Sequence, residues 1–288
     1  MTDFFKPPQF GPPHERFEGL ESATASLTKP LSEVDGKPNQ DSSFEDSFNQ
    51  TFGVFDGMGG HAAGDIASRM AKKIIAEAAN KIPNHASISE MQHILAQAFA
   101  KTNQELLDEA ARMNFRGGMG TTATVMRFFE DEDGKRQALI AHVGDSRAYR
   151  LRGNGPLEQL TSDDGISAIF VDKMDENSQR LLQRKLNNVT RKEDLTDGIE
   201  RFMFENRNIL KYALGIEKTK TSFWVTDVQK GDRFLMCSDG VSDNLTDIEI
   251  EELLAAADTA QTASSDIALT ARRVSERIYG RNKTIQRR

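Results

Sequence analysis

The sequence predicts an α+β fold in which antiparallel sheets are covered by helices. Strand-like runs come in groups joined by hairpin-length turns, two long helical patterns follow one another directly, and further helices close the chain. Strand and helix do not alternate, so the pattern excludes a parallel, doubly wound sheet. A chain of 288 residues with 38% hydrophobic and 28% charged positions is long and apolar enough to build its core without staples.

Four of the eight prolines fall at positions 7, 8, 12 and 13, so residues 1–17 are expected to be an extended or mobile tail ahead of a single domain over 18–288. The stretch 19–58 reads as β-rich and ends in the apolar run Phe52-Gly53-Val54-Phe55. A first helix carries Ala63, Ile66, Ala67, Met70, Ile74 and Ala78 on one face and stops before Pro83. A second opens on the capping box Ser87-Ile88-Ser89-Glu90 and aligns Met91, Leu95, Ala98, Phe99 and Leu106. Strands are predicted over 121–129, 138–143 and 146–151, with turns at Asp133-Gly134 and Gly153-Asn154-Gly155. Residues 166–210 are mixed and highly charged, with a short helix near 178–186. Strands at 221–228 and 233–238 flank Gly231-Asp232, and Thr246-Asp247-Ile248-Glu249 caps another helix. The last helix sets Ile267, Ala271, Val274 and Ile278 on one face and has a basic end, read as a solvated, dipole-compatible terminus.

Composition excludes several functions. Lys plus Arg number 37 against 44 Asp plus Glu, a net charge of −7, which argues against nucleic-acid binding. No apolar run reaches the ~20 residues that span a bilayer, and the N-terminus lacks a signal-peptide layout. The single cysteine, Cys237, allows no internal disulfide and no CxxC zinc site. Together these features predict a cytoplasmic protein.

Asp-Gly occurs six times. Asp35-Gly36, Asp133-Gly134, Asp164-Gly165 and Asp197-Gly198 sit among polar residues and read as turns. Asp56-Gly57 and Asp239-Gly240 differ, because each ends an apolar strand, where a bare carboxylate is costly without a compensating cation. For either aspartate alone, a hairpin turn accounts for the residue as well as a metal ligand does. Asp145, in His142-Val143-Gly144-Asp145-Ser146-Arg147, also leaves an apolar strand, and Asn39-Gln40-Asp41 precedes one. Carboxylates without paired His or Cys suit Mg²⁺ or Mn²⁺ rather than zinc. His61 and His142 lie near these carboxylates and read as structural or supporting groups.

Six short motifs then occur in order: Asn39-Gln40-Asp41, Phe55-Asp56-Gly57-Met58-Gly59-Gly60-His61, Met119-Gly120-Thr121-Thr122, Val143-Gly144-Asp145-Ser146-Arg147, Leu160-Thr161 before an acidic pair, and Cys237-Ser238-Asp239-Gly240. In that order and spacing the chain, from about residue 20 to 255, resembles the bacterial metal-dependent type 2C Ser/Thr protein phosphatases. Asn206-Arg207-Asn208-Ile209 before Leu214-Gly215 resembles the family's stretch after its flap, which places the flap at about 166–210. The resemblance implies two antiparallel sheets packed as a sandwich and flanked by helix pairs. It implies that Asp56 bridges two ions, Mn²⁺ or Mg²⁺, that the Gly57 carbonyl binds one and Asp239 the other, that Asp41 sits beside them, and that Asp145 serves a weaker third. A hydroxide bridging the metals would attack phosphorus in line, with a phosphorylated protein as substrate and a Ser/Thr kinase as opponent.

The chain departs from the family at three places. Many relatives carry an arginine where Gly36 stands, and the adjacent Lys37 is the phosphate-binding candidate here, a charge without a bidentate fork. Met58 stands where many eukaryotic relatives have histidine. The family usually ends on an Asp-Asn pair opening a final strand, and this sequence stops at Gln286-Arg287-Arg288 where that pair should begin, which reads as a fragment. The alternative of another class is a pseudophosphatase, the same fold acting as a binding or sensing module. Hydrolysis of small phosphoesters is a third reading of the same motifs.

Overall fold

The computed structural model describes residues 21–22, 39–59, 61–115, 118–165, 171 and 174–285. The expected tail over 1–17 lies outside them, as do Gly36 and Lys37.

A larger sheet takes the order β1-β2-β4-β5-β8, with β3 paired to β2, and every pairing is antiparallel. Its strands are β1 (Asp41–Asp46), β2 (Thr51–Met58), β3 (Gly120–Thr121), β4 (Ala123–Glu130), β5 (Arg136–Val143) and β8 (Ser222–Asp227). A smaller sheet, β7-β6-β9, is made of β6 (Arg147–Leu151), β7 (Glu158–Gln159) and β9 (Arg233–Cys237).

Strand alternation gives each sheet two apolar faces. Along β4 and β5, Ala123, Val125, Leu139, Ala141 and Val143 face helices α1 (His61–Ala79) and α2 (Ile88–Arg112). The intervening Met126, Phe128, Ala138 and Ile140 face the smaller sheet. Three rings join the layers: Phe52 and Phe128 lie 6.0 Å apart and Phe128 and Phe234 5.2 Å apart, both edge-on. On the far face of the smaller sheet, Tyr149, Leu151 and Cys237 pack against helices α6 (Asp247–Ala256) and α7 (Ala260–Ile285). The layers are therefore helix, sheet, sheet, helix, as the resemblance implied.

The helices largely follow their sequence signals. The capping box of α2 is complete, with Ser87 and Glu90 each accepting from the other's backbone N–H. The predicted face of α2 is buried, together with Thr102, whose hydroxyl donates to the Ala98 carbonyl. The buried stripe of α1 is Ala63, Ala67, Ala71, Ile75 and Ala79, turned slightly from the predicted face so that Ile75 rather than Ile74 is fully buried. Small residues at that spacing let α1 lie close against β2. Its last turn is held by Arg127 of β4, whose guanidinium donates to the carbonyls of Ala79 and Ile82.

Residues 174–210 hold two α-helices, α3 (Glu176–Asn187) and α4 (Gly198–Glu205), with a 3-10 turn at Lys192–Asp194 between them. The first matches the predicted short helix. The second opens on Asp197, which accepts from the N–H groups of Ile199 and Glu200, so this Asp-Gly is a helix cap rather than a simple turn. The segment returns at Leu210, which forms a β-bridge with Gly165.

Candidate active site

A cluster of carboxyls gathers at one end of the two packed sheets. Asp41 and Asp56 are register partners across β1 and β2. Asp41 therefore lies in the strand itself, as its first residue, rather than ahead of it. Ser238, at the end of β9 in the other sheet, donates to Asp41 Oδ2 at 2.8 Å and ties the sheets together at this point. Asp239 follows as the first residue of the short helix α5 (Asp239–Ser242), rather than as a turn residue. Asp145 lies in the loop between β5 and β6.

Threonine and serine hydroxyls join these elements. The Asp56 N–H donates to Thr122 Oγ1 at 2.9 Å, and the Thr122 N–H returns to the Asp56 carbonyl at 2.8 Å. Thr122 Oγ1 also lies 2.7 Å from Ser146 Oγ, beside Asp145. His142 is fully buried, with Nε2 3.0 Å from the Gly144 carbonyl and Nδ1 2.9 Å from Thr124 Oγ1. A carbonyl only accepts, so Nε2 carries the proton, and the single Thr124 hydroxyl proton is shared between Nδ1 and the Ser146 carbonyl, 3.2 Å away. His142 is thus neutral and structural, and burial pushes its pKa down to about 4.

The carboxyls raise one another. Burial, then the charges of Asp239 and Asp41, push the pKa of Asp56 well above the carboxylate range. Burial also raises Asp41, against the opposing bond from Ser238. Asp239 is pushed up to about 6 by burial and by Asp243, and Asp145 to about 8 by burial and by Asp239. Asp56 is within hydrogen-bonding reach of both Asp41 and Asp239. Among the described residues no three His, Cys, Asp or Glu side chains stand in an ion-holding arrangement. The donor chemistry still fits a hard divalent cation: several half-buried carboxyls converge at a cost that a cation would remove. The Gly57 backbone lies against α1 at Gly64, where a Cβ would come within 2.7 Å of the Gly57 carbonyl oxygen.

The sequence therefore places Asp41, Asp56, Gly57, Asp145 and Asp239 at one end of the sandwich. Lys37 and the His61 side chain lie outside the described residues. Sequence reading set Arg147, the acidic pair Asp163-Asp164 and Arg207-Asn208 within its motifs but gave them no role in the site. Arg147, 7% exposed, makes a bidentate pair with Asp163 at 2.7–3.2 Å. An arginine ending an apolar strand was the available signal, since once buried it needs a carboxylate. Asp164 accepts from the Gly144 N–H at 3.0 Å, and burial raises its pKa to about 6. Asp243, one helical turn beyond Asp239, pairs with Arg207 at 2.9 Å and Asn208 at 3.0 Å, tying the segment 174–210 to α5.

Known proteins resemble this chain in sequence and in fold. The family model for protein phosphatase 2C matches residues 32–269. Serine/threonine phosphatase stp of Listeria monocytogenes is 33% identical over 215 residues, covering 73% of this chain and 74% of its own. The PPM Ser-Thr phosphatase MsPP from Mycobacterium smegmatis, solved in complex with cacodylate, superposes with a TM-score of 0.64 at 27% identity, over 88% of this chain and 91% of that one. The catalytic domain of PstP, solved in complex with 2 manganese ions, superposes at 0.61 and 26% identity, over 83% and 86% of the two chains. The chain belongs to the protein phosphatase 2C family and is a serine/threonine phosphatase.

Proposed function

We propose that this site hydrolyses phosphoserine and phosphothreonine in proteins, in opposition to a Ser/Thr kinase and in the cytoplasm, with Mn²⁺ or Mg²⁺ as cofactor. The observation that carries the reading is the convergence of Asp41, Asp56 and Asp239 where the two sheets meet, each raised by burial, with Asp41 held by the Ser238 hydroxyl and the Asp56 backbone by Thr122. The two manganese ions bound to the catalytic domain of PstP support a two-ion site here.

In this reading Asp56, the Gly57 carbonyl and Asp239 would hold two divalent ions, Asp41 would orient water beside them, and Asp145 would hold a third, weaker ion. Bound divalent cations supply the charge that acidifies an attacking water and offsets the phosphoryl oxygens. Ser238 fixes the Asp41 carboxylate through its 2.8 Å bond, and Thr122 fixes the Asp56 backbone. Substrate phosphate falls to Lys37 in the same proposal.

The test is hydrolysis of a phosphothreonine peptide with Mn²⁺ and in excess chelator. Turnover is expected only with metal, and activity that survives exhaustive chelation would overturn the mechanism. A folded protein with no turnover under any divalent cation would instead be a pseudophosphatase. Asp56→Asn should abolish turnover, whereas Asp145→Asn should cost less and be partly overcome by more Mn²⁺. The reverse ranking would overturn the ligand assignment.

A further inference from the structure

We propose that Asp164 is a positioning residue that fixes the loop carrying Asp145 and couples it to the base of the segment between Gly165 and Leu210. The proposal rests on Asp145 being a metal ligand. Sequence reading treats Asp164-Gly165 as one more polar turn, yet both ends of this residue are engaged. Its side chain accepts the Gly144 N–H at 3.0 Å, and its own N–H donates to the Gly144 carbonyl at 2.8 Å. The same carbonyl receives His142 Nε2 at 3.0 Å, so the Gly144 peptide groups are gripped from both sides.

Gly144 needs that grip. Its φ is +112°, and a Cβ there would meet the Thr122 side chain at 2.6 Å, so the loop turns tightly against the residue that joins β3 to β4. Without the Asp164 carboxylate, the Gly144 N–H would lose a charged acceptor one residue before Asp145.

The other end of Asp164 faces the inserted segment. Its carbonyl accepts the N–H groups of Lys211 at 2.7 Å and Tyr212 at 3.3 Å, and Gly165 forms a β-bridge with Leu210. Asp164 thus stands where the chain departs for the α3–α4 segment and where it returns. A displacement of that base reaches the Asp145 loop through one residue's backbone and side chain. Groups that orient metal ligands in this way commonly set affinity by 10- to 100-fold.

The experiment compares Asp164→Ala, Asp164→Ser and Asp164→Asn with wild type and Asp145→Asn in the full chain. Mn²⁺ binding is measured by calorimetry, turnover is followed against Mn²⁺ concentration, and amide exchange is read at Gly144. Asp164→Ala and Asp164→Ser should raise the Mn²⁺ concentration for half-maximal turnover about 10-fold, lower the saturated rate by less than about threefold, and speed Gly144 exchange. Asp164→Asn keeps an acceptor oxygen and should restore most of the affinity. Loss of saturated rate without a shift in Mn²⁺ dependence, unrelieved by Asn, would show a merely structural role and overturn the proposal. An unchanged titration in Asp164→Ala beside a shifted one in Asp145→Asn would overturn this inference alone. Unchanged titrations in both would overturn the ligand role of Asp145 and the inference with it.

Discussion

Asp145 and Asp239 illustrate how burial sets the chemistry of single residues in this protein. Their carboxyls, pushed up to about 8 and about 6, hold protons that the unfolded chain releases near pH 4. The folded state therefore binds more protons than the unfolded state between those values, so metal-free stability falls as pH rises through that range. His142 acts in the opposite sense: its folded pKa near 4 lies below the ordinary 6.5, so acid erodes stability only below about pH 6.5. In chelator, the melting temperature should consequently rise as pH is lowered from 8.5 to 6.5, by an amount on the order of 1–2 kcal/mol in stability. Thermal unfolding across that range checks it, and a flat or falling trend would mean that the carboxyls are not raised together. At Arg147 the balance differs. Burial opposes its charge, but the Asp163 carboxylate more than compensates and holds the guanidinium protonated. Asp163→Ala should leave a buried charge unpaired and cost about 3–5 kcal/mol, read by denaturant unfolding. A cost below about 1 kcal/mol would show that water replaces the pair.

Elements are placed by contacts that sequence periodicity cannot see. The close approach of α1 to β2 depends on Gly64, where an added Cβ would lie 2.2 Å from Gln40 Oε1 and 2.7 Å from the Gly57 carbonyl oxygen. The Gln40 side chain can yield, but the carbonyl belongs to the strand. Gly64→Ala should therefore destabilise the fold by about 1–3 kcal/mol and weaken Mn²⁺ binding, measured by unfolding and calorimetry. Equal Mn²⁺ affinity in the variant would separate α1 packing from the site. The helix α2 was fully legible, because its capping box and its apolar spacing agree. The face of α1 was only approximately legible, since small alanines and the adjacent pair Ile74-Ile75 leave the stripe's centre undefined. Helix α4 was missed because Asp197-Gly198 has the composition of a turn, and only the bonds to Ile199 and Glu200 make it a cap. The strand-end aspartates were legible from the cost of placing a charge beside an apolar run. The division of labour between Asp163, on Arg147, and Asp164, on Gly144, was not, because adjacent identical residues acquire different partners only in three dimensions.

At the scale of the whole molecule, two contacts hold the sheets at the angle the site needs. At the core, Phe128 stands between Phe52 and Phe234, and Phe128→Ala should cost about 3–5 kcal/mol through cavity formation, measured by denaturant unfolding. At the rim, Arg150 and Arg152 link β6 to Asp227 and Asp232, around the connection between the two sheets. The carboxyl cluster lies where those layers meet, and Ser238 and Asp41 bond across the junction. Asp41 and Asp56 already face each other within the larger sheet, and the assembled fold adds Asp239 from the end of the smaller one. The most direct measurement is thermal unfolding of wild type and Asp239→Asn, each in chelator and in millimolar Mn²⁺. Removing one of the converging charges should stabilise the metal-free protein, while Mn²⁺, which at 100 times its dissociation constant adds about 2.7 kcal/mol, should raise the melting temperature of wild type far more than that of the variant. Equal Mn²⁺ shifts in the two proteins, or a variant less stable than wild type in chelator, would contradict the account.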